Sequence, residues 1–205
     1  MRAPVAVLQP IAPEDQARSD FYALLARLFA DGPDAALLAA IAHAGRMDGE
    51  PTAMGQAWNR LIDASSVMDP GTAQQEYTDL FIGVGKSEVN LHASFWLSGF
   101  MMERPLASLR SQLSELGIAR RDEVAMLEDH LSALCETMRL LIAGNAEYGP
   151  SALATQRAFF ERYLAPWVFQ CCAAIGRCPI ANYYVRVAEF AKEFMAVDRD
   201  ALAMD

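Results

Sequence analysis

The stretch from Leu127 to Leu141, LEDHLSALCETMRLL, carries the longest regular hydrophobic pattern of the chain. Its apolar positions are spaced by four, three, four and three residues: Leu127, Leu131, Leu134, Met138 and Leu141. Because an α-helix completes one turn in about 3.6 residues, this spacing places the five side chains on one face. The pattern predicts an amphipathic helix of roughly five turns over 127–141, with that face buried against other helices.

Helical spacing and helix-end signals continue along the rest of the chain. Asp34 is the predicted N-cap of a second helix. Thr72 is the predicted N-cap of a fourth helix, and Gln75 completes a capping box with it. Another helical stretch resumes near Ala93, and Pro105 is expected to interrupt it.

No stretch of useful length alternates apolar and polar residues as a half-buried strand does. We therefore predict an all-α protein, a compact multi-helix single domain that spans residues 1–205. Two glycines and several polar residues interrupt the helical pattern over 83–90. We predict that this segment, which roughly halves the chain, is an internal loop and not a domain boundary, because it is too short and mixed to be a linker.

The composition restricts the class of partner. The 205 residues include 17 Lys and Arg against 26 Asp and Glu, a net charge of −9, and 53% of them are apolar. We do not expect such an acidic chain to bind nucleic acid or an anionic membrane, and its favoured partners are basic peptides. Residues 1–13 hold no apolar run of signal-peptide length, and the apolar stretch 163–175 is too short to span a bilayer. We therefore expect a cytoplasmic protein without an integral membrane segment.

Residues 83–87, GVGKS, look like the end of a phosphate-binding P-loop. The full motif, G-x-x-x-x-G-K-[ST], also requires a glycine where this chain has Leu80, a preceding strand, and a helix directly after the loop. Helical spacing precedes the loop instead, through Tyr77, Leu80 and Phe81. We predict an ordinary loop between helices, and we keep a nucleotide-binding switch or NTPase that uses Gly83–Ser87 as the alternative function.

The triplet Glu128-Asp129-His130 stands at the front of the predicted 127–141 helix, and four interpretations of it remain open. The three side chains are poor common metal ligands, because neighbours on a helix point about 100° apart. As a catalytic dyad, Asp129 would orient His130, but no nucleophile stands near them in the sequence. As a recognition site, the carboxylates would accept hydrogen bonds from guanidinium groups. As a structural feature, they would interact favourably with the helix dipole beside a hydrogen-bonded histidine.

A second candidate region follows the predicted loop over 83–90. Residues 91–97 read LHASFWL, and Phe100, Met101 and Met102 come shortly after them. Aromatic and methionine side chains on a surface adapt to varied apolar peptides. The same composition also suits an ordinary core, so both interpretations stay open at this point.

Two short motifs give the chain a resemblance to a known family. Residues 77–83, YTDLFIG, resemble the Y-x-x-L-F-x-G box of the TorD/DmsD/NarJ family, cytoplasmic chaperones that mature molybdenum redox enzymes. Farther along, residues 129–131, DHL, resemble the family's second box, E-P-x-D-H-[IL], which leads into an apolar helix. Both boxes occur in the family's order in an acidic, all-helical chain, and the resemblance covers most of its length.

The chain departs from the family pattern at two places. Met126 and Leu127 stand where the second box has Glu and Pro. The Pro-Tyr-x-Ser segment that follows the family's hinge appears here as residues 91–94, LHAS, which retain only the serine. These departures affect the predicted peptide contacts more than the predicted fold.

The resemblance implies a binding protein and not an enzyme, with no cofactor and no metal of its own. Its partner is expected to be the twin-arginine signal peptide, or the apo catalytic subunit, of a molybdopterin oxidoreductase, with a formate dehydrogenase as a candidate client. Binding would assist cofactor insertion and delay export until maturation is complete. The resemblance also implies that residues 83–90 form a hinge loop between two halves of the domain. The expected oligomeric state is a monomer, or a homodimer that exchanges halves across this hinge.

A signal-peptide site needs acidic acceptors beside an apolar groove. We expect Asp129 and Glu128 to accept hydrogen bonds from the arginines, with His130 hydrogen-bonding or orienting Asp129. Binding should weaken as ionic strength rises, but less than a purely ionic contact does. The predicted site residues are Asp129, His130, Glu128, Ser94, Phe95, Trp96, Phe100 and Met101. The predicted family-motif and hinge residues are Tyr77, Leu80, Phe81, Gly83 and Gly85.

Overall fold

The computed structural model describes residues 11–83, 85–120, 124–144 and 149–204. Within these ranges the chain forms α-helices and no strand, apart from one isolated bridge between His92 and His130. This confirms the all-α prediction. The helices are α1 (Pro13–Ala30), α2 (Ala35–Ala42), α3 (Ala53–Val67), α4 (Pro70–Tyr77), α5 (Ala93–Ser98), α6 (Arg104–Glu115), α7 (Leu131–Ala143), α8 (Leu153–Tyr163), α9 (Val168–Arg177) and α10 (Tyr183–Met204).

The core is organised around two helix packings. Helix α7 lies against α1, and α10 packs against α1, α3, α4, α8 and α9. The interior of the second packing is aromatic, and Tyr22, Tyr184 and Phe190 are completely buried there. None of the helices in the described part of the chain is both long enough and apolar enough to cross a membrane. Most of residues 1–13, in which the sequence indicated no signal peptide, lie outside the described residues.

The YTDLFIG motif anchors one end of α1 to α10. Helix α4 ends at Tyr77 and continues as a π-helical turn over Thr78–Ile82. The Tyr77 hydroxyl donates to the carbonyl oxygen of Ala30 at 3.0 Å, and the Tyr77 ring lies 5.2 Å from the Phe81 ring. The Phe81 ring in turn lies 5.0 Å from the Tyr184 ring of α10. Tyr77, Leu80 and Phe81 of the motif are therefore packing residues.

The turn after the motif requires glycine at its first position. Gly83 has a φ of 63°, and a Cβ atom added there would lie 2.3 Å from the carbonyl oxygen of Lys86. A left-handed backbone conformation with no room for a side chain admits only glycine. The turn brings the backbone N–H of Val89 within 3.0 Å of the Leu80 carbonyl oxygen. Val84 lies outside the described residues, and exchange of halves across 83–90 stays a prediction.

Of three predicted helix ends, one is confirmed and two differ in the structure. Asp34 caps α2, as predicted, by accepting a 2.7 Å hydrogen bond from the Leu37 N–H. The cap of α4 is Asp69 and not Thr72, because the Asp69 carboxylate accepts from the Thr72 N–H at 2.8 Å and Pro70 occupies the first turn. Pro105 does not interrupt a helix: it lies in the first turn of α6, where its missing N–H costs nothing.

The predicted first turn of the 127–141 helix is also wrong. Helix α7 begins at Leu131, and His130 is its N-cap, with an extended backbone at φ −69° and ψ 141°. The triplet at 128–130 therefore precedes the helix. Glu128 and Asp129 do not lie in its first turn, where they were predicted to interact with the helix dipole. The longest helix is α10, with 22 residues.

A buried carboxylate fixes the start of α10. Glu76 on α4 is 8% exposed, and its oxygens accept hydrogen bonds from the backbone N–H groups of Asn182, Tyr183 and Tyr184 at 2.8–3.0 Å. The first N–H groups of a helix have no partner within it, so this side chain satisfies three donors at once. Glu76 thereby connects the YTDLFIG segment to the helix at the centre of the core.

We predict that Glu76→Ala lowers the free energy of unfolding by about 2–4 kcal/mol, because three buried N–H groups lose their acceptor. Urea denaturation followed by circular dichroism measures the change. Asp79→Ala, three positions along the chain, is the matched control, because Asp79 is exposed and hydrogen-bonds only to the Gln75 side chain among the described residues. A Glu76→Ala loss no larger than that of the control would contradict the capping role.

Candidate functional site

The two family-like segments lie side by side. The Leu131 N–H donates to the Leu91 carbonyl oxygen at 2.8 Å, and the Ala93 N–H donates to the Asp129 carbonyl oxygen at 2.9 Å. These two hydrogen bonds form the antiparallel bridge in which His92 faces His130. The bridge holds the start of α5 against the start of α7, so the predicted acidic residues and the predicted aromatic residues meet at one place.

Asp129 is the most enclosed member of the site. Its side chain is 1% exposed, and its Oδ2 atom accepts a 2.9 Å hydrogen bond from the Ser94 N–H and a second, short one from the Ser94 hydroxyl. Its Oδ1 atom is also buried, yet it has no hydrogen-bond donor among the residues that the structure describes. A buried polar atom without a partner is rare and calls for an explanation.

His130 and His92 form a pair of neutral rings. The His130 Nδ1 atom accepts from the Ser132 N–H at 3.2 Å, and the His92 ring stands edge-on to it at a centroid distance of 4.8 Å. Burial lowers the pKa of His130 to about 3, and the neighbouring His92 contributes to that shift. Burial also lowers the pKa of His92, although the charge of Asp129 opposes the shift. The predicted hydrogen bond of His130 to Asp129 is replaced by these contacts, since the two side chains bond to different residues.

Glu128 is held by two arginines of the same chain. Arg110 on α6 donates to Glu128 Oε2 from Nη2 at 2.9 Å and from Nε at 3.1 Å. Arg120 approaches the other oxygen, Oε1, with its Nε at 3.4 Å. Burial opposes the ionisation of Glu128, but the hydrogen bond from Arg110 and the charges of both arginines outweigh it and hold its pKa below the usual value. Glu128 is therefore an occupied acceptor in this conformation.

An apolar surface adjoins the acidic residues along α5 and the segment after it. We call Phe95, Leu97, Phe100 and Met102 the apolar patch. Phe100 is 70% exposed and Met102 is 72% exposed, and Phe95 and Leu97 are exposed as well. Ser94, which contacts Asp129, is the residue immediately before Phe95, so the patch begins directly beside the buried carboxylate.

Asn90 orients the segment that carries the patch. Its side-chain oxygen accepts from the His92 N–H at 2.8 Å, and its backbone oxygen accepts from the Trp96 indole N–H at 2.8 Å. Trp96 and Met101 are consequently half-buried and form the base of the surface, while the patch residues stay exposed. The interpretation of this region as ordinary core is therefore wrong for the patch residues and holds only for its buried neighbours.

Sequence reasoning missed four residues of the site. Asn90 and His92 have the two-residue spacing of an Asx turn, a signal that the sequence did contain. Arg110 and Arg120 carry no comparable signal, because they lie 18 and 8 positions before Glu128 and no helical or turn spacing connects them to it. Arg110 reaches Glu128 from α6, and Arg120 reaches it from the segment after that helix, so both pairings depend on the tertiary fold.

The GVGKS segment does not form a P-loop. The residues before it are in a π-helical turn and not in a strand, and the next helix, α5, begins only at Ala93. The backbone N–H groups of Gly85, Lys86 and Ser87 therefore do not lead into a helix N-terminus, which is where a P-loop holds phosphate. Among the described residues, no group of three or more His, Cys, Asp or Glu side chains is arranged to hold a metal ion.

Comparison with known proteins identifies the family. The model of the family described as nitrate reductase delta subunit matches residues 47–173, more than half of the chain. The chain belongs to this family. Its members are the NarJ/TorD-like chaperones of molybdoenzyme maturation, so the family resemblance given by the two motifs is confirmed. The matched region contains both motifs and every site residue described above. No curated protein matches the chain.

The neutral histidine pair makes stability depend on pH. In the unfolded chain a histidine binds a proton below about pH 6.5, whereas folded His130 does so only near its pKa of about 3. The stability is therefore fully present above pH 6.5 and falls by about 1.4 kcal/mol for each pH unit below it. His130→Asn keeps a good N-cap and removes the contribution of His130 to this pH dependence.

We predict that wild type loses about 2 kcal/mol more than His130→Asn between pH 7 and pH 5, measured by urea denaturation at each pH. His43→Gln is the control, because His43 lies on the exposed surface of the chain. Parallel pH profiles for wild type and His130→Asn would contradict the buried neutral pair.

Proposed function

We propose that this chain is a cytoplasmic chaperone that binds the twin-arginine signal peptide, and through it the apo catalytic subunit, of a molybdopterin oxidoreductase, with a formate dehydrogenase as the candidate client. The chaperone delays export until the cofactor is inserted. The observation that carries the proposal is the buried Oδ1 atom of Asp129, which has no hydrogen-bond partner among the described residues and lies beside an exposed apolar patch. A peptide with arginines followed by an apolar stretch supplies a hydrogen-bond donor for Oδ1 and an apolar segment that covers the patch.

The orphan oxygen supports an arginine as the ligand. Asp129 Oδ2 is already satisfied by Ser94, whereas Oδ1 lacks a donor within the described chain. A charge-assisted hydrogen bond from a guanidinium is worth about 1.5–3 kcal/mol, more than a neutral donor provides. Because Asp129 is 1% exposed, the arginine reaches Oδ1 only after the residues that cover this atom move, while Ser94 keeps its hydrogen bonds to Oδ2.

The apolar patch supports the hydrophobic part of the signal peptide as the second element. Phe100 and Met102 are large, exposed and close in sequence to the Asp129 contact. Burying these side chains against the apolar stretch of the peptide contributes roughly 25 cal/mol of favourable free energy for each Å² of apolar surface removed from water. The flexible methionines let one surface accept apolar segments of different sequence. The arrangement fits a ligand whose charge sets its position and whose apolar stretch supplies affinity.

We predict that Asp129→Asn weakens binding of a synthetic peptide with two consecutive arginines and an apolar stretch by at least about ten-fold. The amide still accepts from Ser94 through its oxygen, but it offers an N–H group where the guanidinium needs an acceptor. Isothermal titration calorimetry measures the affinity, and circular dichroism verifies that the variant is folded.

Asp79→Asn is the matched control for Asp129→Asn, because it removes the same charge from an exposed carboxylate on the π-helical turn. Its affinity should stay within two-fold of wild type. Equal affinities for all three proteins would remove Asp129 from the proposed site.

We also predict that Phe100→Ser lowers the affinity for the same peptide by about five-fold or more while leaving the melting temperature unchanged, since its side chain is exposed. Val67→Ser is the control, because Val67 is exposed at the end of α3. Calorimetry with a peptide whose apolar stretch is replaced by serines should show little difference between Phe100→Ser and wild type. If Phe100→Ser binds the peptide as tightly as wild type does, the apolar stretch does not bind at the part of the patch that Phe100 forms.

A further inference from the structure

The acidic corner already contains an arginine pair of its own. We propose that Arg110 and Arg120 occupy Glu128 in the peptide-free chaperone as internal substitutes for one arginine of the signal peptide, whose other arginine binds Asp129. Peptide binding is then an exchange of guanidinium groups on one carboxylate. This inference rests on the proposed function and concerns the regulation of the same site.

The geometry assigns one arginine to each oxygen of Glu128. Oε2 accepts two N–H groups of Arg110 at 2.9 and 3.1 Å, and Oε1 faces the Nε of Arg120 at 3.4 Å. The Glu128 side chain is 13% exposed, whereas those of Arg110 and Arg120 are 49% and 36% exposed. The carboxylate is thus the enclosed member of the cluster, and the arginines are the members accessible to displacement.

The internal pair is weak enough to exchange. Ion pairs in contact with water contribute little to stability, because solvation of the separated charges compensates for their attraction. An incoming guanidinium offers the same planar set of N–H donors, so it replaces a departing arginine without leaving Glu128 unpaired. A lysine offers a single charged nitrogen and does not reproduce the two N–H donors that Arg110 directs at Oε2. Exchange therefore favours arginine over lysine.

Exchange also predicts a distinctive salt dependence. When one ion pair forms as another breaks, the number of pairs changes little, and ionic strength has a weak effect on affinity. When the internal arginines are absent, the peptide forms new ion pairs without breaking any. The affinity of such a variant should then fall more steeply with salt than that of wild type.

The test is a double-mutant cycle in peptide affinity, with a synthetic Arg-Arg peptide and its Lys-Lys counterpart as probes. Arg120→Ala should raise Arg-Arg affinity by roughly two- to five-fold, and Arg110→Ala with Arg120→Ala by more. In a Glu128→Gln background the same arginine substitutions should not change the affinity for the Arg-Arg peptide. Arg46→Ala is the control, because Arg46 forms an exposed pair with Asp63 in another part of the fold and its loss changes the net charge equally.

The outcomes separate the two proposals. Peptide binding by wild type with no gain in Arg120→Ala, an equal gain in Arg46→Ala, or an equal gain in the Glu128→Gln background overturns the exchange. An Arg-Arg peptide that binds none of these proteins overturns the proposed function, and the exchange with it. A gain confined to Glu128-containing variants that lack the internal arginines, together with a steeper salt dependence, supports both.

Discussion

The contact between the Asp129 carboxylate and Ser94 determines where every other part of the site lies. It joins the start of α5 to the residues before α7, and two backbone hydrogen bonds at Leu91 and Ala93 extend it into a short bridge. With the bridge in place, His92 meets His130 and the apolar patch begins one residue after Ser94. Because the carboxylate is buried, it is restricted to this arrangement, and a single oxygen is left to interact with anything else.

The two acidic side chains differ in environment although they are adjacent in sequence. Asp129 is enclosed and lacks a partner for Oδ1 within the described chain, while Glu128 is partly accessible and has an arginine at each oxygen. An enclosed carboxylate discriminates strongly between ligands, since a wrong ligand leaves it unpaired in a poorly solvated place. A partly accessible carboxylate discriminates less, but an incoming ligand reaches it more easily. The pair therefore suits recognition in two steps.

Periodicity alone predicted most of the fold, and it failed where tertiary pairing replaced a local preference. The spacing that predicts α7 correctly from Leu131 onward also includes Leu127, so the sequence favoured one more helical turn. That turn does not form, because the backbone of residues 129–131 is used by Leu91 and Ala93. At the site, the sequence predicted that acidic and aromatic residues meet, but it could not predict Arg110 and Arg120, whose contacts with Glu128 arise only from the tertiary fold.

The charges of the corner supply a physical reason for the proposed departure of the internal arginines when a peptide binds. Glu128 pairs with two guanidinium groups, Asp129 next to it supplies a second carboxylate, and burial keeps His92 and His130 neutral at physiological pH. Two further arginines added to this balanced set would meet like charges at short range, which is unfavourable in a partly desolvated site. Departure of Arg110 and Arg120 restores the balance and exposes both oxygens of Glu128. The neutrality of the histidine pair is part of the same requirement, because a protonated His130 would add a positive charge that the two carboxylates could not also compensate.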